Sequence, residues 1–180
     1  MDGYAHDTFS NDQVPSHQLP SVGDLDLEGL DKRYLTAELL GSAIFWTIFG
    51  GGGGLLIYLN LWEAPDWLSL VLIPLLLLLI IFSVVTTILG FKRKKFALRE
   101  KDIIYQSGLF WRTYTVLPFS RIQHVEVHQG PIERVFDLGK LKVYTAGGSS
   151  SDLSISGLAI DNAHSIKHFI LNKSTKDEEE

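Results

Sequence analysis

The stretch RIQHVEVHQGPIERVFDLGKLKVYTAGG, residues 121–148, reads as two runs of alternating side chains around a short break. In the first run His124, Glu126 and His128 recur at every second position, so they share one face of an extended chain. In the second run Leu141, Val143 and Thr145 alternate with Lys140, Lys142 and Tyr144. A period of two is the signature of a half-buried strand. Gly130-Pro131 interrupts the alternation, and the following IERVFDLG reads as a helical turn closed by Gly139. The stretch therefore predicts strand, turn, strand.

The same reading extends outward on both sides. Upstream, KKFALRE and DIIYQSG are two strands joined by a turn at Glu100-Lys101. LFWRTYTVLP then sets Trp111, Thr113, Thr115 and Leu117 against Arg112, Tyr114 and Val116, and Pro118 ends it. Downstream, GGSSSD is a turn and LSISGL a short strand. The segment AIDNAHSIKHFILNK places Ile160, Ala163, Ile166, Phe169 and Ile170 on one helical face, with Asp161 as the predicted cap. Residues 92–172 thus form one small domain, an antiparallel meander of six or seven strands with a C-terminal helix. Closing it as a partly open barrel or a sandwich buries both apolar faces. Its roughly 80 residues hold one small core and no large catalytic apparatus.

Before this domain the pattern changes. No charged residue occurs in 39–62 or in 67–91. As helices these runs are about 36 Å long, more than the roughly 30 Å hydrocarbon layer of a bilayer. Two transmembrane helices, a hairpin within 37–91, are predicted. Lys32 and Arg33 precede the first span, Lys92, Arg93, Lys94 and Lys95 follow the second, and the loop between them has acidic residues only. The positive-inside rule places both termini in the cytoplasm and the loop outside, at a plasma (inner) membrane. Trp62 and Trp67 bracket that loop at interfacial depth. The start of the chain, MDGYAHD, is acidic and does not resemble a signal peptide.

The ends are polar. Residues 1–38 hold eight acidic residues against Lys32 and Arg33, so 1–36 are expected to be a disordered acidic tail, and 173–180 a second one.

The order of two spans, a basic stretch, a strand meander, the 121–148 stretch and a late ISGL before a helix resembles the bacterial membrane-flanked pleckstrin-homology-like (YdbS-like) family. The residues that carry the resemblance are Arg121, Ile122, Gln123, Val125, Gly130, Pro131, Ile132, Arg134 and Phe136, then Leu138-Gly139, Leu141, Val143, Thr145 to Gly148, and Gly157-Leu158. It covers roughly residues 35–172. The resemblance implies a PH-like partly open barrel with a capping helix, association with a larger membrane protein carrying related domains, and no enzymatic activity.

Candidate sites follow from residue type. Gly50 and Gly54 form a G-x-x-x-G pair in the first span, where another helix can approach closely. That helix is either the second span or one from another protein or a second copy of this chain. Lys92, Arg93, Lys94, Lys95 and Arg112 are candidate contacts for anionic lipid headgroups, the basis of an alternative role as a lipid sensor. His124, Glu126 and His128 form a polar strand face that is a candidate partner surface. Zinc is disfavoured there, because the two histidines of an extended strand lie about 13 Å apart while zinc bonds are near 2 Å. Ser149 to Ser151 beside Asp152 lack a nucleophile elbow and read as a turn. Neither span contains an ionisable residue, which argues against a channel or transporter. The chain has no cysteine, and no cofactor, metal or nucleic-acid partner is expected. The sequence reading is a membrane-anchored interaction subunit with the bilayer and a membrane protein as partners.

Overall fold

The architecture begins with Asp31. Its carboxylate accepts the backbone N–H of Arg33 at 2.8 Å, the bond that starts a helix two residues after a capping aspartate. Helix α1 runs from there over Lys32–Tyr58, straight through the five glycines, and α2 covers Asp66–Arg93. Both are long and apolar enough to cross a membrane, and neither window is buried by the rest of the protein. They pack side by side, with Ser42 Oγ and Ser83 Oγ 3.2 Å apart. The computed structural model describes residues 26–59, 66–146 and 152–177. The predicted serine turn at 149–151, the loop residues 61–65, residues 1–25 and the last three residues lie outside them.

Two antiparallel sheets follow α2. The first has the order β1 (Glu28–Gly29), β2 (Lys95–Leu98), β3 (Asp102–Ser107), β4 (Thr113–Pro118). A 3-10 turn at Phe119–Arg121 leads into the second, ordered β5 (Ile122–His128), β6 (Leu138–Thr145), β7 (Leu153–Ala159). Between β5 and β6 lies the short helix α3 (Pro131–Val135), and α4 (Ile160–Asp177) ends the fold. The predicted alternation becomes a core: Ile103 pairs with Leu117, Val125 with Val143 and Leu141 with Ile155. Phe119 from the corner and Ala163, Ile166 and Ile170 from α4 complete it. The membrane hairpin plus mainly β domain with a C-terminal helix is the predicted fold class.

Four local expectations are corrected. Residues 28–36 belong to the fold and not to a tail, since β1 pairs with β2 and Leu30 and Tyr34 are buried. Polar composition hid them, because two apolar anchors at the right spacing suffice to dock a helix start. The turn after α3 is closed by Asp137 (φ 52°), not Gly139. Aspartate tolerates the left-handed region, and Gly139 is already in β6, where its small size admits Ile160 and Ala163. Asp161 lies inside the first turn of α4 and does not cap it; Ile160 N–H donates instead to the Asp137 carbonyl at 2.9 Å. Trp111 is not on the strand face with Leu117. A turn at Gly108 (φ 96°) delays β4 until Thr113, leaving Trp111 at the hairpin tip.

Candidate interaction site

Strand pairing brings β5 and β6 together so that His124, Glu126 and His128 lie opposite Tyr144, Lys142 and Lys140. All six point away from the core, forming one polar face on the second sheet. Glu126 is the hub. One carboxylate oxygen accepts from His124 Nε2 at 3.1 Å. The other accepts from His128 Nε2 at 2.5 Å and from the Tyr144 hydroxyl at 3.1 Å. These donors, His128 first, hold the carboxyl down at about 2 against an ordinary 4.5. A carboxylate so stabilised is a poor proton acceptor at neutral pH. Among the described residues no three His, Asp or Glu side chains converge to hold a metal. The two histidine rings instead converge on Glu126, one on each of its carboxylate oxygens. Beside the cluster a shallow depression is lined by His128, Gln129, Glu133, Lys140 and Lys142.

A second constellation ties the domain to the membrane helices. The bulge that offsets β6 from β7 places Gly157 at φ 80°, and the Tyr34 ring of α1 lies directly on it. Any Cβ at 157 would collide with that ring. The Asp31 N–H donates to the Gly157 carbonyl at 3.0 Å. From the end of α2, Lys94 Nζ reaches Glu38 at 2.9 Å and sits 4.9 Å from the Tyr34 ring centroid. Tyr34, Glu38, Lys94 and Gly157 therefore form a joint between hairpin and domain. Sequence reasoning did not single out this joint. Its one local signal is an isolated glycine inside a strand pattern, which marks a bulge or a close approach.

The remaining predicted site residues separate. Lys94 is committed to the joint, whereas Lys92, Arg93, Lys95 and Arg112 are exposed. Gly50 faces α2, where an added Cβ would lie 3.3 Å from Leu76. Gly54 has open space beside it and lines an apolar groove with Phe49, Gly53 and Leu72. Gly50 lines the same groove, so the two glycines differ only in how closely α2 approaches each of them.

With two membrane-crossing helices joined to a two-sheet, helix-closed domain, comparison becomes informative. The model of the bacterial PH domain family matches residues 43–174, from within α1 to within α4. The chain belongs to the bacterial PH domain family. It is similar to the UPF0699 transmembrane protein YdbS of Bacillus subtilis (strain 168), 35% identical over 86 residues, 46% of this chain and 52% of that protein. It is also similar to the UPF0699 transmembrane protein YdbT of the same organism, 25% identical over 99 residues, 54% of this chain. The chain spans about half the length of YdbS and 20% of YdbT in these matches. A DUF1696 family protein with a pleckstrin-homology domain from Shewanella loihica aligns at 20% identity with a TM-score of 0.38, over 47% of this chain and 73% of that one. The chain thus joins a bacterial PH domain to two helices long and apolar enough to cross a membrane.

Proposed function

We propose that the protein is a membrane-anchored interaction subunit, with its PH-like domain at the cytoplasmic face of the plasma membrane and both termini cytoplasmic. Its partner is a larger membrane protein carrying related domains. The observation that carries this reading is the pre-ordered polar face around Glu126. Three hydrogen bonds fix the carboxylate with histidine, tyrosine and lysine side chains around it, so docking there costs little side-chain ordering. The basic excess on the second span's end supports the orientation. The joint at Tyr34 supports it further, because a domain fixed to its anchor presents that face in a constant direction. The test is co-purification of the full chain with membrane proteins in mild detergent, comparing wild type with Glu126→Lys and Lys142→Glu. Loss of the same partner in both variants is the expected result. An unchanged set of partners rejects the face as the docking site.

A second reading, recognition of anionic headgroups, rests on the exposed Lys92, Arg93, Lys95 and Arg112. It predicts binding that depends on headgroup identity at constant vesicle charge. Attraction that tracks charge alone and fades with salt rejects it.

A further inference from the structure

Strand direction decides which loops face the bilayer. The chain leaves α2 at Arg93 and runs away from the membrane along β2. Because each strand is antiparallel to the next within its sheet, β3 returns. The β2–β3 turn is then distal and the β3–β4 tip proximal. In the second sheet the β5–β6 connection, which is α3, is placed proximal by its contact with α1. Contacts agree. Leu109 and Phe110 share a cleft of about 460 Å³ with Thr86, Thr87 and Gly90 of α2. Ile132 of α3 lies 3.7 Å from the position of a Cβ on Gly41 of α1. Glu38 and Lys94 line the same cleft, so it sits at the charged border of the uncharged runs 39–62 and 67–91, and Gly41 lies just inside the first of them. The Ser42–Ser83 contact sets the two helices in register, with Thr87 level with Glu38, Gly90 about 4.5 Å outside it and Gly41 about 4.5 Å on its membrane side, so the two loops meet the pair within about two turns at the border of the uncharged runs.

Composition follows the same division. Among the described residues, the most exposed large apolar side chains outside α1 and α2 are Trp111 (84%), Val135 (76%) and Phe110 (71%). All three sit on the two proximal connections. The distal turn at Arg99–Lys101 is charged instead. Exposed Arg112 and Arg134 adjoin Trp111 and Val135 and suit headgroup depth, where arginine can snorkel and tryptophan prefers to lie.

We propose that the β3–β4 tip (Phe110, Trp111) and α3 (Ile132, Val135) are two apolar feet that insert into the headgroup–acyl boundary of the bilayer the protein's own helices cross. They flank the helix pair and hold the PH-like domain upright on the lipid. The occupant is bilayer lipid and not a partner protein, because the feet meet the helices at the border of their uncharged runs, the depth of the headgroups, with arginine beside each exposed apolar side chain.

The absence of cysteine gives a background-free test on the full chain. Trp111→Cys, Val135→Cys and, as a distal control, Glu100→Cys are nitroxide-labelled in vesicles of phosphatidylcholine and phosphatidylglycerol. Collision rates with oxygen and with a water-soluble nickel chelate report depth. The expected result is a several-fold lower nickel-to-oxygen accessibility ratio at 111 and 135 than at 100. A ratio at either foot equal to that at 100 overturns the proposal. Shielding that vanishes as lipid is added in excess over protein also overturns it, since it assigns the cover to a second copy.

Discussion

Replacing Gly157 by alanine tests the joint most directly. Two costs are readable from the structure. The backbone at 157 has φ 80°, where a residue with a Cβ is strained by about 1–2 kcal/mol. The new methyl also coincides with the Tyr34 ring, which is 9% exposed and must swing out. Losing most of the burial of such a side chain costs about 1.5–3 kcal/mol. The sum, about 2.5–5 kcal/mol, is a large share of the 5–15 kcal/mol typical of a domain. The assay is pulse proteolysis in urea on the full chain in micelles, which unfolds the PH-like domain while the detergent supports the hairpin. A double-mutant cycle isolates the contact. With Tyr34→Ala already present, Gly157→Ala has nothing to strike and should cost only the backbone strain. The expected coupling is about 2 kcal/mol. An equal cost of Gly157→Ala with and without Tyr34 would refute the argument that the ring's seat is what the glycine provides.

Three further outcomes are expected. Ser42→Cys with Ser83→Cys should form a disulfide readily from side chains 3.2 Å apart; adding Gly50→Leu should slow it by crowding Leu76, while Gly54→Leu should leave the rate unchanged. The Glu126 carboxyl should titrate near 2 in a carbon-13 NMR experiment, and His128→Gln should move it toward the ordinary range. Its folded pKa is depressed, so its stabilising contribution is complete above about 4.5 and disappears as pH falls toward 2; an inflection near 4.5 in the wild type contradicts the hydrogen-bonded cluster. Lys94→Met removes both the Glu38 ion pair and the contact over Tyr34, and should lower domain stability by about 1–2 kcal/mol in the same proteolysis assay.

The candidate face was legible early because strand period alone fixes which residues share a side. His124, Glu126 and His128 needed no tertiary information to be grouped, but Tyr144 as their third hydrogen-bond donor required the β5–β6 register. The basic run was legible as charge and not as function. Lys94 differs from Lys92 and Lys95 only in what stands near it, a glutamate 56 positions earlier in the chain.

The sequence by itself determined the two membrane spans, the strands 95–159 and the closing helix, since each is written in a local period or an uncharged run that neighbours in space do not alter. Only the tertiary structure decided that residues 28–36 belong to the fold, that Tyr34 rests on Gly157, and that Phe110 and Ile132 reach the helices near the border of their uncharged runs. Those are meetings between residues far apart in the chain. They depend on the register and direction of whole strands, and no local pattern carries that information.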